Sequence, residues 1–137
     1  MSEQNKAIVR RVVDELRNSV DMSSDGELSA SGYRQHSSQL PPFEGVEALA
    51  ELVSGLRAGF PDAHFSIDQE VAEGDAVVHQ WTLRGTQLGE WNGIPATGKS
   101  IEVRGTAISR LRDGKVVEHT ADWDAMGLMQ QLGVIEG

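Results

Sequence analysis

Cysteine is absent from the 137-residue chain, which excludes disulfides, thiol nucleophiles and zinc–cysteine centres and fits a reducing compartment. Basic residues are scarce: 12 Lys and Arg stand against 21 Asp and Glu, a net charge of −9. Nucleic-acid binding draws its affinity from a basic footprint, and an anionic membrane surface attracts the same kind of patch. Neither nucleic acid nor membrane is therefore an expected partner. No stretch approaches the ~18 consecutive apolar residues of a membrane span. The N-terminal Met1-Ser2-Glu3-Gln4-Asn5-Lys6 has neither the apolar core nor the small-residue cleavage site of a secretory leader, so the protein is read as cytoplasmic. Catalytic motifs are missing too. The histidines His36, His64, His79 and His119 form no pair at metal-ligand spacing, and no metal is expected. No Gly-x-Ser-x-Gly element occurs, and Gly85-Thr86-Gln87-Leu88-Gly89 lacks the Lys-Ser/Thr that would follow in a phosphate-binding loop.

What is present is an ordinary globular composition, with 39% hydrophobic and 24% charged residues, long enough for one domain over residues 1–137. Ile8, Val12 and Leu16, with Val9 and Val13 beside them, form one stripe of a helix expected from about Glu3 to Ser19. Asp21 to Gly26 reads as a loop, Gly32 to His36 shows no clear period, and Pro41-Pro42 imposes an extended segment. A second helix begins just after Gly45, buries Ala48, Leu49, Leu52, Val53 and Leu56, and ends at Phe60-Pro61-Asp62. From Ala63 the period becomes two, predicting a strand through Phe65, Ile67 and Val71 and a second over Val77 to Arg84. Gly85 to Lys99 reads as a loop or distorted hairpin. Ile101 to Leu111 and Val116 to about Trp123 are strands joined by a tight turn at Asp113-Gly114. Ala125 to Leu132 is a short closing helix. Helices, a meander and a final helix predict an α+β domain, a curved antiparallel sheet with helices on one face.

Acid–base chemistry falls to carboxylates and histidines. In Glu118-His119-Thr120-Ala121-Asp122-Trp123-Asp124 a continued strand puts Thr120, Asp122 and Asp124 on one face and His119 and Trp123 on the other. From pattern alone Asp124 reads first as the N-cap of the last helix, with catalysis as the alternative. His79 and Trp81 share a face of the second strand, where a tryptophan is more often core than ligand platform. Tyr33 and His36 lie in the irregular segment.

Phe60-Pro61-Asp62, Glu73-Gly74-Asp75-Ala76-Val77-Val78, Trp81-Thr82, Gly85-Thr86, Gly93-Ile94-Pro95-Ala96-Thr97-Gly98-Lys99 and Arg110 to Lys115 together resemble the SnoaL-like polyketide cyclases. Glu118-His119 and the run Asp124-x-x-Gly127-Leu128-Met129-Gln130-Gln131-Leu132-Gly133 complete the resemblance. It implies the cone-shaped α+β barrel of the ketosteroid isomerase-like, nuclear-transport-factor-like superfamily, wrapped around an internal cavity. It also implies ring closure of a polyketide by intramolecular aldol condensation, without cofactor or metal. The family's acid/base aspartate falls on Asp124, and its Tyr-before-His pair on Tyr33 and His36. Gln87 stands where the family usually has His, and Thr120 where Trp after Glu-His is more common. Gln87, His119 or Tyr33 would hydrogen-bond the enolate oxygen. Trp81 and Trp91 would line the pocket, and His79, His36, Asp122 and Arg104 belong to the expected substrate-binding set. The same scaffold hosts isomerases, hydrolases, hydroxylases and non-catalytic binders. A homodimer or homotetramer is expected, from apolar residues on alternating faces that include Val77, Leu83, Ile101 and Val103.

Overall fold

The computed structural model describes residues 2–18, 28–37 and 43–134, with the side chains of Tyr33 and a few neighbours outside that description. Helix α1 (Ser2–Arg11) continues as a π-helical segment (Val12–Arg17). Strand β1 is Ser29–His36, β2 is Phe43–Glu44, and helix α2 is Gly45–Gly59. The meander follows as β3 (His64–Glu73), β4 (Ala76–Thr86), β5 (Ser100–Arg112) and β6 (Lys115–Trp123), and α3 (Ala125–Leu132) closes the described chain.

The six strands form one open sheet in the order β2-β1-β6-β5-β4-β3. The expected α+β architecture is present, but the sheet is mixed: β1 runs parallel to β6, with Gln35 opposite His119 and His36 opposite Thr120. This strand is the segment in which no period was visible. Among its residues with described side chains the buried one is a glutamine, Gln35, which leaves no apolar alternation there to mark the strand. Bulges interrupt the β3–β4 register after Ile67 and the β5–β6 register after Arg110, and such bulges bend the strands that carry them.

Helix α1 packs on β3 and β4, α2 on β1, and α3 on β5. The expected first helix departs from α geometry after Arg11. Asn18 N–H reaches Val13 O at 3.0 Å, a five-residue hydrogen bond, and Val12, Val13, Leu16 and Arg17 are all buried. Asn18 then pairs like a strand residue with Phe65: its side chain accepts from Phe65 N–H at 2.7 Å and donates to Phe65 O at 3.0 Å. The core has two clusters. One joins α1, α2 and the turn end of the meander through residues such as Val9, Leu16, Leu49, Val77 and Leu111. The other joins Phe60, Trp81, Leu83, Val103, Leu128 and Leu132. Val77, Leu83, Ile101 and Val103, expected to contribute to an exposed apolar face, are all buried on the inner side. The exposed row on the outer side is Val71, Val78 and Ile108, paired across β3, β4 and β5.

Candidate active site

Side chains alternate across the strands, so the inner wall can be built row by row. Val77, Ser109, His119 and Gln35 face one another across β4, β5, β6 and β1. The next row is His79, Ala107 and Ala121, and the two alanines leave open the space that larger residues would fill. Beyond it come Trp81, Gly105 and Trp123. A Cβ at Gly105 would fall inside the indole of Trp81, so only glycine lets that ring lie across β5. Phe65 meets Trp81 edge-on, with centroids 5.3 Å apart.

These rows enclose a cavity of about 340 Å³ beneath α1 and α2, in the range of small-molecule sites. Its lining is mostly apolar, with a polar floor of Arg17, Gln35, His79, Ser109 and His119. Arg17 Nη2 donates to Gln35 Oε1 at 2.6 Å. Ser109 Oγ and His119 Nδ1 share a hydrogen bond of 3.0 Å. The His79 and His119 rings lie 5.9 Å apart. Both ring nitrogens of His79 are buried and without a hydrogen-bond partner among the described residues. Burial, and secondarily the Arg17 charge, push the His79 imidazole down to about 4. Burial, then Arg17, then His79 hold His119 well below its ordinary value. Two neutral imidazoles and one cation thus share an apolar chamber. Among the described residues the one carboxylate in its lining is Glu51, on the exposed side of α2.

A second pocket of about 420 Å³ opens on the other side of the sheet and carries Asp68, Arg104, Asp122 and Asp124. Trp81 and Trp123 contribute to both pockets. Asp124 N-caps α3, its Oδ1 accepting from Gly127 N–H at 2.8 Å, and its carboxylate occupies the place a Cβ at Gly127 would take. Asp68 Oδ2 accepts from Thr82 Oγ1 at 2.5 Å.

The expected site residues therefore separate. His79, His119, Trp81 and Trp91 line the inner cavity, whereas Arg104, Asp122 and Asp124 line the outer pocket. His36 lies against Glu118 at 3.2 Å and lines neither. Gln87 is fully buried and its amide is engaged by the loop before β5. The Tyr33 side chain lies outside the described residues. Sequence reasoning missed Arg17, Gln35 and Ser109. Arg17 sits four residues past Val13 at the end of the apolar stripe, and Ser109 falls on the inward phase of β5; Gln35 gave no signal. Among the described residues no group of three or more metal-ligating side chains is placed to hold an ion. Nor is any helix among them long and apolar enough to cross a membrane.

A bent sheet closed by helices over a mostly apolar chamber defines an α+β cone with an internal cavity. Residues 7–132 match the SnoaL-like polyketide cyclase family model, and the chain belongs to that family. Among its relatives, the aklanonic acid methyl ester cyclase DnrD of Streptomyces peucetius is 34% identical over 95 residues, 68% of this chain and 65% of that protein. The nogalonic acid methyl ester cyclase of Streptomyces nogalater is 32% identical over 91 residues, 65% of this chain and 67% of that protein. The chain thus spans about two thirds of the length of these curated relatives. Among solved structures, a Jannaschia protein assigned to the SnoaL-like polyketide cyclases superposes with a TM-score of 0.85 at 27% identity, covering 98% of this chain and 94% of that one. IdmH of Streptomyces antibioticus, assigned as a polyketide cyclase, gives 0.82 at 29% identity, covering 95% and 99%.

Proposed function

We propose that the protein closes a ring of a polyketide by cofactor-free intramolecular aldol condensation, and that the reaction takes place in the inner cavity. The observation that carries this reading is His79: a neutral imidazole with both nitrogens unpartnered, set in an apolar chamber beside Arg17 and His119. The substrate carbon between two carbonyls is already acidic, and one ring nitrogen of His79 takes its proton. The imidazole is a weak base in the empty site. The enolate formed beside it favours the imidazolium, because opposite charges attract strongly where water is excluded. Arg17 and His119 stabilise the enolate oxygen. The carbanion then attacks a ketone of the same molecule, forming the carbon–carbon bond, and the new alkoxide takes back the proton from His79. The chamber supplies proximity by folding the chain so that carbon and carbonyl meet.

A second reading, supported by the family resemblance at Asp124, makes that carboxylate the acid/base group of the outer pocket it shares with Asp122 and Arg104. Turnover of a β-dicarbonyl polyketide analogue separates the two. General acid–base catalysis supplies about 100- to 10,000-fold, so His79→Gln should lose that much while Asp124→Asn stays near wild type. The opposite pattern transfers the chemistry to the outer pocket. The proposal includes self-association, supported by the exposed outer row of Val71, Val78 and Ile108.

A further inference from the structure

The segment between β4 and β5 carries Trp91 to the rim of the inner cavity, where Trp91 is half-buried and Asn92 is exposed. Trp91 and Ile94 exchange backbone hydrogen bonds of 3.0 and 2.8 Å around a two-residue turn. Asn92 and Gly93 take the positive φ values, 47° and 79°, that such a turn requires. Gln87 holds this hairpin from below. Its Nε2 donates to Ile94 O at 3.0 Å, the same carbonyl that accepts from Trp91 N–H. Its Oε1 accepts from Thr97 N–H at 3.2 Å and from Thr97 Oγ1 at 2.7 Å. Its backbone bonds Lys99 O and Gly98 N–H, so one buried residue ties both arms of the segment. On the other side, Gly59 O accepts from Leu88 and Gly89 N–H, and a Cβ at Gly59 would lie 2.6 Å from Trp91 Cβ. The indole is thereby held edge-on to Phe60, with centroids 5.8 Å apart at 73°.

We propose that Gln87 is a positioning residue: it fixes the Trp91 hairpin so that the indole forms a rigid aromatic wall at the cavity rim, and this wall selects planar, fused-ring substrates over small ones. Phe60, on which Trp91 stands, packs beside Gly85. The path along β4 from His79 to Gly85 is roughly 20 Å at about 3.3 Å per residue. A small diketone held at His79 does not reach the wall, whereas a three-ring ligand extends toward it. The inference rests on the inner cavity being the substrate chamber, as proposed above, but not on His79 being the base.

Equilibrium binding tests it without turnover. The probes are 1,4-dihydroxyanthraquinone, a planar three-ring ligand, and acetylacetone, a β-diketone with no ring. The proteins are wild type, Gln87→Met, Thr97→Val, Trp91→Ala and the Gln87→Met/Trp91→Ala double variant. Loss of an aromatic wall contact should weaken anthraquinone binding about tenfold in Trp91→Ala and several-fold in Gln87→Met. Acetylacetone binding should move by less than about twofold. The double variant should bind anthraquinone no worse than Trp91→Ala alone, because Gln87 acts only through the indole. Thr97→Val, in an exposed loop, removes one of the bonds to Gln87 and should shift anthraquinone binding the same way even if Gln87→Met does not fold. Equal weakening of both probes, additive losses in the double variant, or a wild type that does not prefer the anthraquinone overturns the proposal. A fully active His79→Gln protein would refute His79 as the base and leave this binding result readable.

Discussion

Lowering the pH from 7 to 5 is expected to destabilise the protein through His79, and the size of the effect follows from its surroundings. In the unfolded chain the imidazole titrates at its ordinary value of about 6.5, whereas in the fold burial and the Arg17 charge hold it to about 4. The native state therefore keeps His79 neutral while the unfolded state takes up a proton. Stability is complete above the unfolded value and is lost as pH falls through 6.5, until the folded value near 4 is passed. For one group with these two values the loss between pH 7 and 5 is about 2 kcal/mol. His119, lowered by burial first, adds loss of the same sign. Most carboxylates titrate below this window, so the imidazoles dominate it. Urea denaturation at the two pH values should show wild type losing about 2 kcal/mol more than His79→Gln. Equal losses in the two proteins, or an NMR titration of His79 centred near 6.5, would refute the buried, neutral histidine.

Asp124→Ala should cost about 1 kcal/mol by removing the N-cap of α3, while Asp124→Asn should be nearly neutral, because Asn can still accept from Gly127 N–H; chemical denaturation checks both. Gly105→Ala should cost about 1–3 kcal/mol, since its Cβ would displace the Trp81 indole from β5, and the melting temperature should fall accordingly.

Elements whose hydrophobic period is simple were legible in the chain. The stripe of α2, the alternation of β4 and β5 and the Asp113-Gly114 turn all stand where their spacing put them, whereas the bulge after Ile67 turns Val71 of β3 to the exposed outer side. Legibility failed where function or geometry replaces apolar residues with polar ones. The end of β1 gave no apolar signal because Gln35, buried there, is the hydrogen-bond partner of a buried arginine. Arg17 was unreadable as a cavity residue because a charge at the end of a helical stripe looks like its solvent edge. The same spacing arguments found His79 and Trp81, which continue an apolar phase. Asp124 could be read as a cap from its place before Ala125, and the cap is there. The side of the sheet that its carboxylate serves depends on how β6 passes into α3. The family resemblance sets Gln87 against the substrate, and a polar residue after Gly85-Thr86 gives no hint that Ile94 and Thr97 fold back onto it.

Binding of a substrate-like molecule that cannot react shows directly where the chemistry resides. A 2,2-dimethyl-1,3-diketone has no proton to lose between its carbonyls, so it occupies the site without turning over. Titrated into ¹⁵N-labelled protein, it should shift the ring resonances of His79 and His119 saturably and leave the backbone amides of Arg104 and Asp122 in place. Saturable shifts confined to Arg104, Asp122 and Asp124, with the two imidazoles unmoved, would contradict catalysis in the inner cavity.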